Sequence, residues 1–425
     1  MNSIKIIPRK LKGVVDIPPS KSISHRAIIC AGLSEGKSII ENIIFSDDIS
    51  ATIEGIKSFG VDLEFKKAKE TYDVLVNGKG KVNLINDIID CRESGSTLRF
   101  LIPIALMQNK EVTFVGRGKL CERPLDVYYK LFKQKGIEFR NENGRLPLKV
   151  KGPIMSGTYE VEGNISSQFI TGLLFVLPLL DGDSKIIITT NLESKGYVDL
   201  TLDVLKSFGI EIVNDNYRQF LIKGNQRYKA THFKVEGDYS QAAFWLTAGV
   251  LGEEVVCRNL NLNSLQGDRV IIDIIKAMGG NITIEGQSLI SNTSNSKGIV
   301  VDVSQCPDLT PIITVLAALS NGTTRIVNAR RLRIKESDRL KAIATELNKL
   351  GAEVLEFEDG LVINGKEMLD GGIVDSWNDH RIAMALAIAS IRCKKPVIIQ
   401  NYDCVKKSYP NFFEHFKELG GEVYE

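Results

Sequence analysis

A six-fold recurrence constrains this chain more than its composition does. A phrase that ends in glycine and runs at once into a short β-type stretch occurs as KSFGVDLEF, KQKGIEFR, KSFGIEIV, KAMGGNITIE, NKLGAEVLEF and KELGGEVYE. Its glycines, Gly60, Gly136, Gly209, Gly279, Gly351 and Gly420, follow one another at intervals of 69 to 76 residues. Each stands where an amphipathic helix needs a left-handed residue to stop. One such phrase is weak evidence, but six spread over the whole chain mark an internal repeat.

A second mark lies out of phase with the first. Small polar or acidic residues stand before strongly apolar stretches at Ser22, Ser96, Ser167, Ser240, Asp308 and Asp379, at intervals of 68 to 74. The stretches include RAIICAGL, LRFLIPIAL, FITGLLFVLPLL, AAFWLTAGVL, LTPIITVLAAL and RIAMALAIAS, apolar nearly all round as buried helices should be. Runs such as KIIITT and TTRIVNA read as strands. Each repeat is then a buried helix, strands, an exposed amphipathic helix and more strands. Six of them in 425 residues divide into two domains of three. The polar stretch GNQRYKATH, 224–232, is the expected crossing between them. The polar marks serve as N-caps. Helix N-termini also carry free N–H groups and partial positive charge, so an aligned set suits anionic ligands.

Composition narrows the function classes. With 43% hydrophobic and 25% charged residues the chain buries a large core. Lys plus Arg is 54 against 52 for Asp plus Glu, too even for a surface that binds nucleic acid throughout, so no nucleic-acid partner is expected. Any anion must be met by local clusters. Seven cysteines without a C-x-x-C pair read as reduced thiols, and four scattered histidines give no metal spacing. Neither a signal core nor an apolar run long enough for a bilayer is present, so we expect a soluble cytoplasmic protein with no membrane partner.

Five clusters carry candidate chemistry. PPSKSISHRA places Lys21, Ser22 and Arg26 at the first buried helix, and RESGSTLR places Gly95 and Arg99 at the second. A glycine there lets a ligand approach the backbone. In RLRIKESDRLKAIATEL, a helix would set Arg331, Lys335 and Arg339 four apart as a cationic ridge. Glu336 and Asp338 offset that repulsion on a solvated helix, and a bound dianion would offset it better. NDHR at 378–381 and CVKKSYP at 404–410 are polar phrases in apolar surroundings.

Taken together, PSKSISHR, ERP at 122–124, SSQ at 166–168, KESDR and NDHR, in this order, resemble the 5-enolpyruvylshikimate-3-phosphate synthase family over essentially all of the chain. The resemblance implies an α/β fold of two domains, an inverse α/β barrel of six repeats, three per domain, with buried helices pointing their N-termini at an interdomain cleft. It implies a split into 14–227 and 1–13 plus 228–425. The implied reaction moves the enolpyruvyl group of phosphoenolpyruvate to the 5-hydroxyl of shikimate 3-phosphate and releases phosphate. It runs by addition and elimination through a tetrahedral intermediate, in a monomer and with no cofactor or metal.

The same resemblance assigns residues. Lys21, Ser22, Arg26, Ser166, Ser167, Ser194, Asp308 and Lys335 would hold shikimate 3-phosphate. Lys21, Gly95, Arg123, Gln168, Arg339, Arg381 and Lys407 would surround phosphoenolpyruvate. Asp308 resembles the base for the attacking hydroxyl, and Glu336 the acid for the methylene carbon with Lys21 beside it. The chain departs from the common pattern at Glu93-Ser94-Gly95-Ser96, at Phe100 and at Arg331. The alternative, a UDP-N-acetylglucosamine enolpyruvyl transferase, has asparagine after its early lysine, where this chain has Ser22.

Overall fold

The computed structural model describes residues 2–425, which fall into two compact units, 19–235 and 2–18 with 236–425. The first unit holds helices α1 (Lys21–Leu33), α2 (Asp47–Lys57), α3 (Gly95–Ala105), α4 (Asp126–Lys135), α5 (Ser167–Val176) and α6 (Lys195–Ser207). The second holds α7 (Tyr239–Leu251), α8 (Ile271–Ala277), α9 (Thr310–Ala318), α10 (Arg339–Lys349), α11 (His380–Ala389) and α12 (Phe412–Glu418). Odd-numbered helices are the apolar stretches, and every residue of α7, α9 and α11 is buried. Even-numbered helices are amphipathic, and the six marker glycines after them all have positive φ, from 66° to 90°. Each unit has its own continuous core.

Six four-stranded sheets share one topology: a parallel pair, then two antiparallel neighbours. Parallel neighbours need a long crossover, which a buried helix supplies. Thus Ile88–Asp90 and Glu111–Val115 flank α3, and Thr158–Val161 and Ser184–Ile188 flank α5. Val300–Asp302 with Thr323–Val327, and Gly372–Asp375 with Val397–Gln400, do the same for α9 and α11.

The other two sheets exchange their first strands. Gly13–Asp16 precedes α1 but pairs with Val255–Arg258 behind α7, and His232–Lys234 precedes α7 but pairs with Ile39–Glu41 behind α1. This corrects the expected crossing. The chain changes unit at Pro18–Pro19 and Val235–Glu236, later than the 13/14 and 227/228 boundaries and beyond GNQRYKATH, because each exchanged strand carries its neighbours with it.

Most polar marks also sit slightly inside their helices. The caps are Ser94, whose hydroxyl accepts from Thr97 N–H, Ser166 from Gln168, Asp238 from Ser240 and Gln241, and Asp379 from Arg381. Ser96 and Ser240 lie two residues past their caps, and Asp308 lies in a 3-10 turn, Pro307–Leu309, ahead of α9. The expected helical ridge is likewise not one helix. Arg330–Ile334 is a 3-10 turn, Lys335 is extended, and Asp338 caps α10 so that it starts at Arg339. No helix of the described residues is long and apolar enough to cross a membrane.

Candidate functional site

In the unit of residues 19–235, the starts of α1, α3 and α5 supply the expected groups. Pro103 inside α3 has no N–H, so the carbonyl of Arg99 loses its helical partner. The Tyr128 hydroxyl takes that carbonyl at 2.6 Å, and burial raises the phenol's pKa. Gly172 on α5 permits this approach, since a Cβ there would lie 2.3 Å from the same hydroxyl. Arg99, now fixed at its backbone, donates from Nη1 to Gln168 Oε1 at 2.8 Å and from Nη2 to the Pro124 carbonyl at 3.0 Å. Gln168 in turn donates to Ser96 Oγ at 2.9 Å. Arg123, the residue before Pro124, lays its guanidinium over Gly95, where a Cβ would come within 2.5 Å of Nη1. Gly95 is thus required by the arginine itself.

Lys21 and Arg26 leave α1 in different settings. Lys21 Nζ meets Asp48 Oδ2 at 2.6 Å, with both side chains about six-sevenths buried, 15% and 13% exposed. Asp48 sits in the first turn of α2 and its carbonyl accepts from Thr97, which ties it to the Ser94 cap. Arg26 is buried and has only neutral partners: Thr201 Oγ1 at 2.9 Å, the Ser22 carbonyl at 2.7 Å and the Tyr197 carbonyl at 3.1 Å. Burial brings its pKa down to about 10, with Tyr197 and Cys30 opposing. Those bonds join α1 to α6, where Ser194 caps the helix in a left-handed conformation, φ 54°. Ser166 and Ser167 open α5 beside Gln168. His25 bonds Thr52 at 2.7 Å, and burial, then Lys21 and Arg26, push its pKa well below the ordinary value.

In the other unit the cations are knotted with carboxylates. Arg339, 1% exposed, donates from Nη1 to Asp308 Oδ1 at 2.8 Å, from Nη2 to Glu336 Oε2 at 2.7 Å and from Nε to Asp379 Oδ2 at 2.8 Å. Lys335 Nζ reaches Asp308 Oδ1 at 3.4 Å, and Arg381 Nη2 reaches Asp308 Oδ2 at 3.2 Å and Ser240 Oγ at 3.1 Å. The broken helix accounts for this. An extended Lys335 and a helix starting at Arg339 let both side chains turn to Asp308, which one continuous helix face would present as a ridge. Burial would depress the Arg339 guanidinium, but Asp379, Glu336 and Asp308 outweigh it and hold its pKa above the ordinary value. Lys335 goes the other way. Loss of water, with Arg339 and Arg331 adding to it, lowers the ammonium from 10.5 to about 8 against the pull of Asp308 and Glu336. Lys407 Nζ donates to the Asn378 carbonyl at 2.7 Å, one residue before Asp379.

Lys21, Ser22, Arg26, Gly95, Arg123, Ser166, Ser167, Gln168 and Ser194 therefore belong to one unit, and Asp308, Lys335, Glu336, Arg339, Arg381 and Lys407 to the other. Sequence reasoning missed Asp48 as the partner of Lys21 and the several bonds made by Asp379. An acid in the first turn of a helix, or at its cap, carries no local sign of a distant cation. Lys21 pairs with Asp48 in one unit, and Lys335, Arg339 and Arg381 converge on Asp308 in the other, where Arg339 also meets Glu336 and Asp379. Cations gathered at helix starts in this way suit phosphate and carboxylate groups. No group of three or more His, Cys, Asp or Glu suited to a metal occurs among the described residues.

Comparison with known proteins gives the same direction. Residues 6–416 match the family EPSP synthase (3-phosphoshikimate 1-carboxyvinyltransferase). The 3-phosphoshikimate 1-carboxyvinyltransferase of Clostridium novyi is 60% identical over 430 residues, covering 100% of this chain and 99% of that protein. Its namesake from Clostridium acetobutylicum is 58% identical over 426 residues, with the same coverage. Among solved structures, EPSP synthase from Acinetobacter baumannii aligns with a TM-score of 0.82 at 26% identity, over 100% of both chains.

Proposed function

The chain belongs to the EPSP synthase family, an enolpyruvyl transferase family of the shikimate pathway, and on that premise we propose how its two units share the reaction. The reaction places the enolpyruvyl group of phosphoenolpyruvate on the 5-hydroxyl of shikimate 3-phosphate and releases phosphate. We read the six sheets as six copies of one unit in an inverse α/β barrel, three per domain, with the starts of the buried helices turned to the substrates. The shared sheet topology and the six left-handed glycines support that reading. The catalytic species is then a single chain, since both sets of residues come from it. Seven free thiols suit a reducing compartment such as the cytoplasm.

Shikimate 3-phosphate is held by Lys21, Ser22, Arg26, Ser166, Ser167 and Ser194 with Lys335 and Asp308. Phosphoenolpyruvate is held by Lys21, Gly95, Arg123, Gln168, Arg339, Arg381 and Lys407. The observation that carries the proton chemistry is the convergence of Arg339, Lys335 and Arg381 on Asp308. Incoming phosphate and carboxylate groups compete for those donors. As Arg339 and Arg381 turn to the anions, Asp308 is freed to take the proton of the 5-hydroxyl as it attacks. Glu336, bonded to Arg339, gives a proton to the methylene carbon, with Lys21 assisting. The resulting tetrahedral adduct carries a methyl group, and loss of one of its hydrogens with phosphate completes the transfer. Turnover in heavy water tests this step. Addition and elimination should place deuterium on the methylene carbon of the product, whereas a product free of deuterium would exclude the methyl-bearing adduct.

A further inference from the structure

A strained turn stands between α10 and the cations of α11. Trp377 and Asn378 are consecutive residues in the left-handed region, both with φ 54°, an unfavourable conformation for a side chain as bulky as tryptophan. Something must over-determine it. Within the turn, Trp377 N–H donates to Asp375 Oδ1 at 2.6 Å and Asp379 N–H to the Ser376 carbonyl at 3.0 Å. From outside, Glu346 grips it. This α10 carboxylate, 1% exposed on its side chain, accepts the Trp377 indole N–H on Oε1 at 2.7 Å and the Asp375 backbone N–H on Oε2 at 3.0 Å. Lys349 bonds both oxygens at 2.9 Å.

A buried carboxylate is costly unless its lone pairs are filled, and here the turn fills two of them. The same turn presents the Asn378 carbonyl, which receives Lys407 Nζ at 2.7 Å, and leads directly into Asp379 and Arg381. We propose that Glu346 is a positioning residue for phosphoenolpyruvate: it fixes the strained Trp377–Asn378 turn, and the turn aims Lys407. The proposal rests on the reading that Lys407 binds that substrate. A carboxylate that merely filled the core would lower stability and all kinetic constants alike. One that aims Lys407 should act on the affinity for one substrate.

The test is a double-mutant cycle on the full-length enzyme, with KM for each substrate and kcat measured in every variant. Glu346→Gln keeps the volume but replaces one accepting oxygen by an N–H-bearing nitrogen, so it loosens one of the two grips without making a cavity. We expect Lys407→Met to raise KM for phosphoenolpyruvate about tenfold or more, and Glu346→Gln to raise it about fivefold. For Glu346→Gln, KM for shikimate 3-phosphate should stay within about twofold and kcat within about threefold. In the Lys407→Met background, Glu346→Gln should add less than about twofold, since its route is already removed. Should Glu346→Gln not fold, Trp377→Phe, which removes the indole N–H together with part of the ring of this half-buried side chain, takes its place in the same cycle. Equal Glu346→Gln effects in both backgrounds, or equal losses for both substrates, would overturn the proposal alone. An unchanged KM in Lys407→Met would overturn the assignment of Lys407, and the proposal with it.

Discussion

The cations of the two units are held by contrasting partners. In residues 19–235, Arg26 is buried against hydroxyls and carbonyls, Arg99 donates to an amide and a carbonyl, and Lys21 meets Asp48. In residues 236–425, Arg339 alone touches three carboxylates, and two further cations crowd Asp308. Neutral partners hold a cation such as Arg26 in place without cancelling its charge, which on the proposed function makes it a standing contact for an anion. Carboxylate partners cancel it until an anion competes. On the proposed function, the second unit is then where ligand binding changes who is paired with whom, and where a released carboxylate moves a proton.

The widest separation should appear when matching arginines are deleted. Arg339→Met leaves the buried Asp379 short of its cation and should cost about 3–5 kcal/mol of stability, read from the urea midpoint. Arg26→Met strands only neutral groups and should cost about 1–3 kcal/mol. Equal costs would erase the contrast. Next in size is Asp308→Ala, which should lower turnover about a hundredfold or more, roughly 2.7 kcal/mol, while affinity for shikimate 3-phosphate changes modestly. Near-normal turnover would remove Asp308 from the mechanism.

The halves should also part in their pH response. Burial brings Lys335 down to about 8 and Arg26 down to about 10. The protonated forms are the ones that bind an anion. Affinity for shikimate 3-phosphate should therefore fall as pH rises through about 8, and Lys335→Arg should carry that fall to higher pH. Stability runs the other way. The folded value of Lys335 lies below the ordinary 10.5, so between about 8 and 10.5 the unfolded chain binds more protons and this group's contribution rises with pH. An affinity that stays flat to pH 9.5 would contradict the assignment of Lys335. The smallest effect is expected at Cys121, half-buried in the first unit. Cys121→Ser should keep kcat/KM within about threefold, under roughly 1 kcal/mol. A hundredfold loss with the fold intact would make the thiol catalytic.

What could be read from the sequence follows from which forces are local. The six glycines were legible because a left-handed helix end needs glycine wherever it occurs. The polar marks came out one or two residues late at Ser96, Ser167 and Ser240, because a serine at the first or second helical position looks like a cap until its hydrogen bond is seen. The exchange of Gly13–Asp16 and His232–Lys234 has no local signal, and it moved both domain boundaries. Cations of the candidate site stood out in phrases such as KSISHR and KESDR. Of their carboxylate partners, Asp308, Glu336 and Asp379 stood out as well, but Asp48 did not. Asp48 reads as an ordinary first-turn acid and Glu346 as a solvated helix residue, although its side chain is 1% exposed.

The residues proposed in both units should serve one transfer between two particular anions. Phosphate release by the intact chain tests it most directly, with phosphoenolpyruvate as donor and either shikimate 3-phosphate or UDP-N-acetylglucosamine as acceptor. Phosphate should appear only when phosphoenolpyruvate and shikimate 3-phosphate are both present. Equal release with the UDP-sugar, or release from phosphoenolpyruvate alone, would contradict the account.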